Sequence, residues 1–338
     1  MTAKFVDVRQ ARTSLEVHDG RTILEAALAA GISYPHGCRS GRCGSCKSRL
    51  IEGKVELLQH SRFALTDEEK ADGLILACRA LLLTNAAVAW LGSDDDEALE
   101  PSRRLDAIVT GLDDLTHDIK LVRIAPADGA PLLFSAGQYA QVEFDGAPAR
   151  SYSMANRHGE DSLEFHIRRV PGGVTSEHVH AVLKASDKVT LEFPLGSSYL
   201  RQHHSGPLLC VAGSSGLAPI KSIVETALSY GMKQPIRVYF GARSERDLYL
   251  VDHFQALAER HANLTFSVVL SEAQSAQYRH GFVTQAVADD LEDLDGWKAY
   301  VAGPPPMVDA AMGVAFARGL RSEDMHADVF FTPEDQED

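Results

Sequence analysis

Four of the five cysteines in this 338-residue chain fall in its first quarter, and three of them crowd into one loop. The loop reads Gly37-Cys38-Arg39-Ser40-Gly41-Arg42-Cys43-Gly44-Ser45-Cys46, and Cys78 follows at a distance. An odd cysteine total argues against a disulfide framework, and the opening residues Met1 to Asp7 lack the charged and then apolar regions of a secretory leader. Four unrelated core thiols would not gather among small residues. The spacing Cys-x4-Cys-x2-Cys with a remote fourth cysteine suits a centre that takes three thiolates from one tight loop and one from a separate element.

That is the plant-type spacing of a [2Fe–2S] cluster, with Cys38, Cys43, Cys46 and Cys78 as the metal ligands. Gly41 and Gly44 let backbone amides approach the sulfurs, and such hydrogen bonds tune the potential. Structural zinc is the competing reading, but it usually takes two Cys-x2-Cys knuckles and the chain has one. Arg39, Arg42, Lys47, Arg49 and Arg79 lie close in sequence to the ligands. They read as tuning the cluster, as facing an acidic electron acceptor, or as a solvated face.

The pattern around this loop is one of short strands and short helices. Phe5–Val8 and Ser14–Val17 read as a hairpin. Thr22 and Glu25, then Thr66 and Glu69, have the spacing of reciprocal helix-start caps. Trp90 closes this first domain, set at residues 1–93, and residues 94–102 read as an acidic linker. From 103 to 203 the apolar period is mostly two, as in Leu163–Arg168, which suggests an antiparallel barrel. From 204 to 338, strand, loop and helix alternate, which indicates a doubly wound parallel sheet. The formal net charge of −14 opposes binding to nucleic acid and leaves solubility or steering toward a basic partner as its uses. No apolar run is long enough for a bilayer, so no membrane partner is expected and a cytoplasmic location is.

Three further sets of residues carry chemistry. Arg150-Ser151-Tyr152-Ser153 sits on an expected strand: Arg offers a fork to phosphate, Tyr an aromatic face, and Ser153 a hydroxyl. Gly172-Gly173-Val174-Thr175-Ser176 follows a strand and opens a helix, whose free amides suit a phosphate. His166 and Arg168 precede this loop; an exposed strand face is the expected place for His166. Gly213-Ser214-Ser215-Gly216 ends a strand, and Pro219 fits the first turn of the helix beyond. Cys210, inside that apolar strand, reads as an inert core thiol.

Arg150–Ser153 resembles the flavin motif Arg-x-Tyr-Ser of the ferredoxin–NADP reductase superfamily, and Gly173 with Ser176 its Gly-x-x-Ser pattern. Gly213–Pro219 is similar to the superfamily's Gly-Gly-Thr-Gly-x-Ala-Pro, with Ser214 where a second glycine is usual and Ser215 for Thr. Gly303 and Pro304 match its Cys-Gly-Pro segment, with Ala302 in place of the Cys, and Phe330 its terminal aromatic. In this order the motifs resemble the reductase components of Rieske-type aromatic ring-hydroxylating dioxygenases, in particular their naphthalene and terephthalate branches.

The resemblance implies a multidomain α+β and α/β chain. Its parts would be a β-grasp [2Fe–2S] ferredoxin domain, an antiparallel β-barrel FAD domain and a doubly wound nucleotide-binding domain. It implies Tyr152, Ser153 and Phe330 as the catalytic set at the flavin, and FAD on Arg150 to Ser153, His166, Arg168, Gly172 to Ser176 and Phe330. It implies NADH, with NADPH open, on the Gly213–Gly216 loop, Arg243, Ser244, Gly303 and Pro304. Electrons would pass from nicotinamide to flavin to cluster, and then to an oxygenase component or an intermediate ferredoxin. A reductase for a di-iron or other aromatic monooxygenase is the alternative. A redox carrier or sensor without NAD(P)H turnover is the alternative of another class.

Overall fold

Thr22 and Thr66 each accept a hydrogen bond from the amide three residues on, and Glu25 and Glu69 accept from the threonine amides. These two boxes start the helices Ile23–Ala29 and Asp67–Ala71 of the cysteine-bearing unit. Such caps stabilise a helix by about 1 kcal/mol each. The computed structural model describes residues 3–32, 34–36, 39, 41, 44–62, 64–91 and 100–332. The chain divides into two units, Met1–Glu97 and Ala98–Asp338. Of the expected linker, residues 94–99 lie outside the described residues.

The first unit carries a five-stranded sheet in the order Thr13–Val17, Lys4–Val8, Ala86–Trp90, Lys47–Glu52, Leu74–Leu76. Lys4–Val8 pairs antiparallel with Thr13–Val17 and parallel with Ala86–Trp90. The helix Ile23–Ala29 buries Ile23, Leu24, Ala26 and Ala27 against this sheet. A mixed sheet of this order with one packed helix is the β-grasp arrangement expected.

The second unit joins two layers of structure. Six antiparallel strands run in the order Arg150–Ser153, Tyr139–Phe144, Lys188–Leu195, Arg103–Asp114, Ile119–Pro126, Leu163–Arg168. A bridge between Met154 and Phe165 brings the two ends of this order together, so the sheet nearly closes into a barrel. The remaining sheet is wholly parallel: Arg279–His280, Leu264–Leu270, Ile236–Ala242, Leu208–Gly213, Lys298–Gly303, Met325–Val329. Its first strand in the chain is central and every residue of it is buried, as a strand covered on both faces must be. Leu208, Cys210 and Ala212 join one core with Ile220, Ile223 and Phe254. Leu209 and Val211 join another with Val287, Val308 and Ala311. The two helix layers make the sheet doubly wound. The chain moves outward to one side of the central strand and then to the other, so the order reverses between Leu208–Gly213 and Lys298–Gly303. In open parallel sheets ligands bind beyond the carboxyl ends of the strands at such a reversal.

Leu163–Arg168 departs from expectation. It is buried at Leu163, Phe165, His166 and Ile167, not alternately. His166 is only 6% exposed, because the parallel-sheet layer, through Tyr249, covers the face that period two would leave to water.

Candidate functional site

Two of the four expected metal ligands lie among the described residues, and they meet. Cys46 immediately precedes Lys47–Glu52, and Cys78 lies in the turn between Leu74–Leu76 and Ala80–Leu82. Lys47 is paired with Leu76, which sets the cysteines side by side. Both are buried, and the Cys78 amide donates to the Cys46 sulfur at 3.4 Å. An amide aimed at a buried sulfur stabilises thiolate charge, and this donor set fits an iron–sulfur centre. Gly41 has φ +76°, and a Cβ there would stand 2.7 Å from Arg79 Cγ and 2.9 Å from His60 Cβ. Cys38, Cys43 and Arg42 lie outside the described residues. The other basic neighbours have separate engagements: Lys47 with Glu69 at 2.6 Å, Arg49 with the Asp72 carbonyl, Arg79 with the Gln59 carbonyl.

In the second unit, Arg150–Ser153 forms a strand on Tyr139–Phe144, so alternate residues face opposite ways. Arg150 and Tyr152 share one face. Arg150 is exposed and Tyr152 half-buried, with its hydroxyl held protonated by burial. Ser151 is exposed. Ser153 is buried and donates to Asp328 Oδ2 at 2.5 Å. Burial pushes Asp328 up to about 6, only partly opposed by that hydrogen bond. Asp328 was not foreseen. Its sequence signal is slight: a carboxylate on the last strand, two residues before Phe330.

The Gly172–Ser176 turn is built as a helix start. Gly173 is the N-cap of Val174–Ala181. Thr175 donates to the Pro148 carbonyl; Ser176 accepts from the Val170 amide and donates to the Gly173 carbonyl. Those hydroxyls therefore shape the turn, and the first helical amides carry its affinity for anions. A phosphate fits there. Arg168 pairs with Asp118 at 2.9 Å. Burial opposes ionisation of Asp118, but hydrogen bonds from Arg168 and Thr116 outweigh it and hold the carboxyl below its usual range.

The Gly213–Gly216 loop lies at the carboxyl end of the central strand. Ser214 has φ +54°, the left-handed region in which the superfamily's glycine is at home. A side chain there costs roughly 1–2 kcal/mol. At Gly216 a Cβ would stand 2.1 Å from the Ala302 carbonyl oxygen, so no larger residue fits without moving the backbone. Ala302 and Gly303 end the neighbouring strand, and Pro304 caps the helix Pro305–Ala317. The Phe330 amide donates to the Gly303 carbonyl at 2.9 Å, which fixes the half-buried Phe330 at the same edge. Flavin-strand, loop, Gly303 turn and terminal aromatic thus converge on the reversal of strand order.

Beyond the next strand, Ser244 and Asp247 cap each other, with the Ser244 hydroxyl donating to Asp247 Oδ2 at 2.8 Å. Arg243 and Arg246 reach to 3.8 and 3.9 Å from Asp247 Oδ1. Cys210 is fully buried, and burial pushes its thiol up to about 12, as an inert core thiol requires. Among the described residues, no helix is long and apolar enough to cross a membrane.

Three family models match successive parts of the chain. Residues 6–83 match the 2Fe-2S iron-sulfur cluster binding domain, 106–199 the oxidoreductase FAD-binding domain, and 210–312 the oxidoreductase NAD-binding domain. The ferredoxin--NAD(P)(+) reductase component of the naphthalene 1,2-dioxygenase system of Pseudomonas putida is 38% identical over 315 residues, 92% of this chain and 94% of that protein. The reductase component of propane 2-monooxygenase from Mycolicibacterium goodii is 33% identical over 329 residues, 94% of each. The crystal structure of an Amycolatopsis cytochrome P450 reductase superposes with a TM-score of 0.77 at 35% identity, covering 97% of this chain and 98% of that one. With paired cluster cysteines, a flavin-type barrel and a nucleotide loop in one chain, and relatives matched over nearly their whole lengths, the protein belongs to the ferredoxin-fused FAD- and NAD(P)-dependent reductase components of bacterial oxygenase systems.

Proposed function

We propose that this chain passes electrons from NADH to a Rieske-type aromatic ring-hydroxylating dioxygenase, directly or through a small ferredoxin. The observation that carries the reading is the convergence of Ser153, Asp328, Phe330, Gly303 and the Gly213–Gly216 loop on one strand-end crevice. FAD, when bound, supplies the conversion of one hydride into two single electrons. Arg150 and the Gly172–Ser176 helix start would hold its phosphates, and Tyr152 would offer an aromatic face to its ring. Ser153 and Asp328 place a hydroxyl and a proton-exchanging carboxyl at the reacting edge. Gly303, Pro304 and Phe330 shape the wall that receives nicotinamide and excludes water. Cys38, Cys43, Cys46 and Cys78 hold the cluster that is the outlet, in a cytoplasmic setting that keeps thiols reduced.

The choice of NADH over NADPH follows the resemblance. Asp247 Oδ1 is buried without a hydrogen-bond partner among the described residues, at the end of the sheet where the superfamily meets adenosine. A carboxylate there accepts a ribose hydroxyl, while Arg243 and Arg246, 3.8 and 3.9 Å from the same oxygen, offer charge to a 2′-phosphate, so NADPH stays open. The dioxygenase partner is favoured by two naphthalene dioxygenase-system reductases, at 38% and 39% identity. Propane and phenol monooxygenase reductases, at 33% and 35%, keep the second reading in play. Reconstitution decides between them. NADH-driven product formation with a Rieske oxygenase and not with a di-iron monooxygenase is expected; the reverse result would replace the partner assigned here.

A further inference from the structure

Tyr249 belongs to none of the motifs above, yet it ties two of them together. It is 5% exposed and packs edge-on against Phe240 and His166, with ring centroids 5.8 and 5.3 Å apart. Its hydroxyl oxygen lies 3.4 Å from the Ser214 carbonyl oxygen and 3.2 Å from His166 Nδ1. A phenol has one proton to donate, and a carbonyl can only accept. With the Tyr249 proton on the Ser214 carbonyl, the arrangement in which both contacts are hydrogen bonds has His166 donating its Nδ1–H to the phenol oxygen. Burial, aided by the Lys221 charge, pushes His166 down to about 3, so the ring is neutral and has one N–H to give. Burial also holds the Tyr249 hydroxyl protonated.

The acceptor at the end of this chain of donors is the strained residue of the nucleotide loop. Ser214 sits at φ +54° where a glycine is usual, and Gly216, two residues on, has no room for a side chain against Ala302. We propose that Tyr249 is a positioning residue for the nicotinamide nucleotide: its hydroxyl, oriented by His166 on the barrel strand Leu163–Arg168, holds Ser214 left-handed and keeps the loop in its binding shape. This rests on the reading of that loop as the NADH site. Without the hydroxyl, Ser214 relaxes toward the ordinary extended region, and only the fraction of molecules with the loop in place binds nucleotide. A glycine at 214 would adopt the same conformation unaided, so the need for Tyr249 is tied to this chain's own departure from the superfamily pattern.

The test is a double-mutant cycle on the full-length protein loaded with FAD and cluster. Dissociation constants for NAD+ and NADP+ are measured by calorimetry, and KM and kcat for NADH with ferricyanide as acceptor. The Tyr249–Ser214 contact, at 3.4 Å, is longer than an ordinary O–H···O bond, and the His166 contact, at 3.2 Å, is long as well. Tyr249→Phe is therefore expected to weaken NAD+ binding and raise KM about three- to tenfold, the weight of one modest neutral hydrogen bond. At saturation kcat is expected to stay within about twofold, as for an interaction lost equally from ground and transition states. In a Ser214→Gly background the same substitution is expected to change binding less than about twofold, because coupling between the sites is removed. A merely structural tyrosine would lower the melting temperature in both backgrounds without that difference. Unchanged NAD+ binding in Tyr249→Phe, or an equal loss in both backgrounds, overturns the inference alone. A native protein that binds neither NAD+ nor NADP+ overturns the functional reading and the inference with it.

Discussion

The turn at Gly41 and the turn at Ser214 use the same left-handed backbone for different reasons. At Gly41 both conformation and space demand glycine: Arg79 and His60 already occupy the room a Cβ would take. At Ser214 the conformation alone is demanding, and a side chain is tolerated while Tyr249 hydrogen-bonds to its carbonyl. The first turn serves ligands supplied within one small sheet, where Cys46 and Cys78 are brought together by strand pairing. The second serves a crevice assembled from residues as far apart as Ser153 and Asp328. A local site is lost by removing a ligand; an assembled site is degraded by degrees, through each contact that holds its parts in register.

Removing a cluster ligand is the strongest test of that contrast. Cys46→Ser is expected to reduce cytochrome c reduction to background while NADH still bleaches the flavin absorbance in the purified protein. Loss of both in folded, FAD-loaded protein would show that the two sites are not separable.

The next effect in size belongs to Gly216. In Gly216→Ala the new methyl meets the Ala302 carbonyl, and overpacking of this kind costs about 1–3 kcal/mol. Calorimetry is expected to show NAD+ binding weakened about ten- to a hundredfold if that strain is relieved only by moving the loop.

A smaller change is expected at the flavin edge. Asp328→Asn weakens the acceptor for the Ser153 hydroxyl and should slow NADH-dependent flavin reduction in stopped flow about tenfold, the weight of one charge-assisted hydrogen bond. The same variant has a pH signature. The folded Asp328 titrates at about 6 against an ordinary 3.8. A raised carboxyl contributes stability that is complete below the ordinary value and is lost as pH rises through the folded one. The difference in melting temperature between wild type and Asp328→Asn should therefore shift against the wild type from roughly pH 4 to pH 6 and then level off. A flat difference would mean that the carboxyl is not raised.

Cys210 provides the smallest expected effect. Cys210→Ala removes one sulfur from a packed strand, about 1 kcal/mol of stability, and should leave NADH oxidation with ferricyanide untouched. A loss of turnover in this variant would give the strand thiol a role that its burial argues against.

What was legible in the sequence was whatever is encoded by neighbours along the chain. Both helix-start boxes, the first hairpin and the strand–loop–helix rhythm of the last part follow from local hydrogen bonding and apolar period, and they fall where expected. His166 shows where that logic ends. A period-two strand predicts an exposed polar residue, but a second layer packs over this face and turns the histidine into a neutral donor.

By itself the sequence determined the thiol spacing, the glycine-led helix start at Gly173 and the glycines of the Gly213–Gly216 loop. Each of these depends on residues a few positions apart, where backbone geometry leaves little choice. Only the tertiary structure decided that Asp328 meets Ser153, that Phe330 is held at Gly303, and that Tyr249 links His166 to Ser214. Those pairings join separate elements: Ser153–Asp328 and His166–Tyr249 are set by how the barrel packs against the parallel sheet, and Phe330–Gly303 by strand pairing within that sheet, none of which a short-range pattern records.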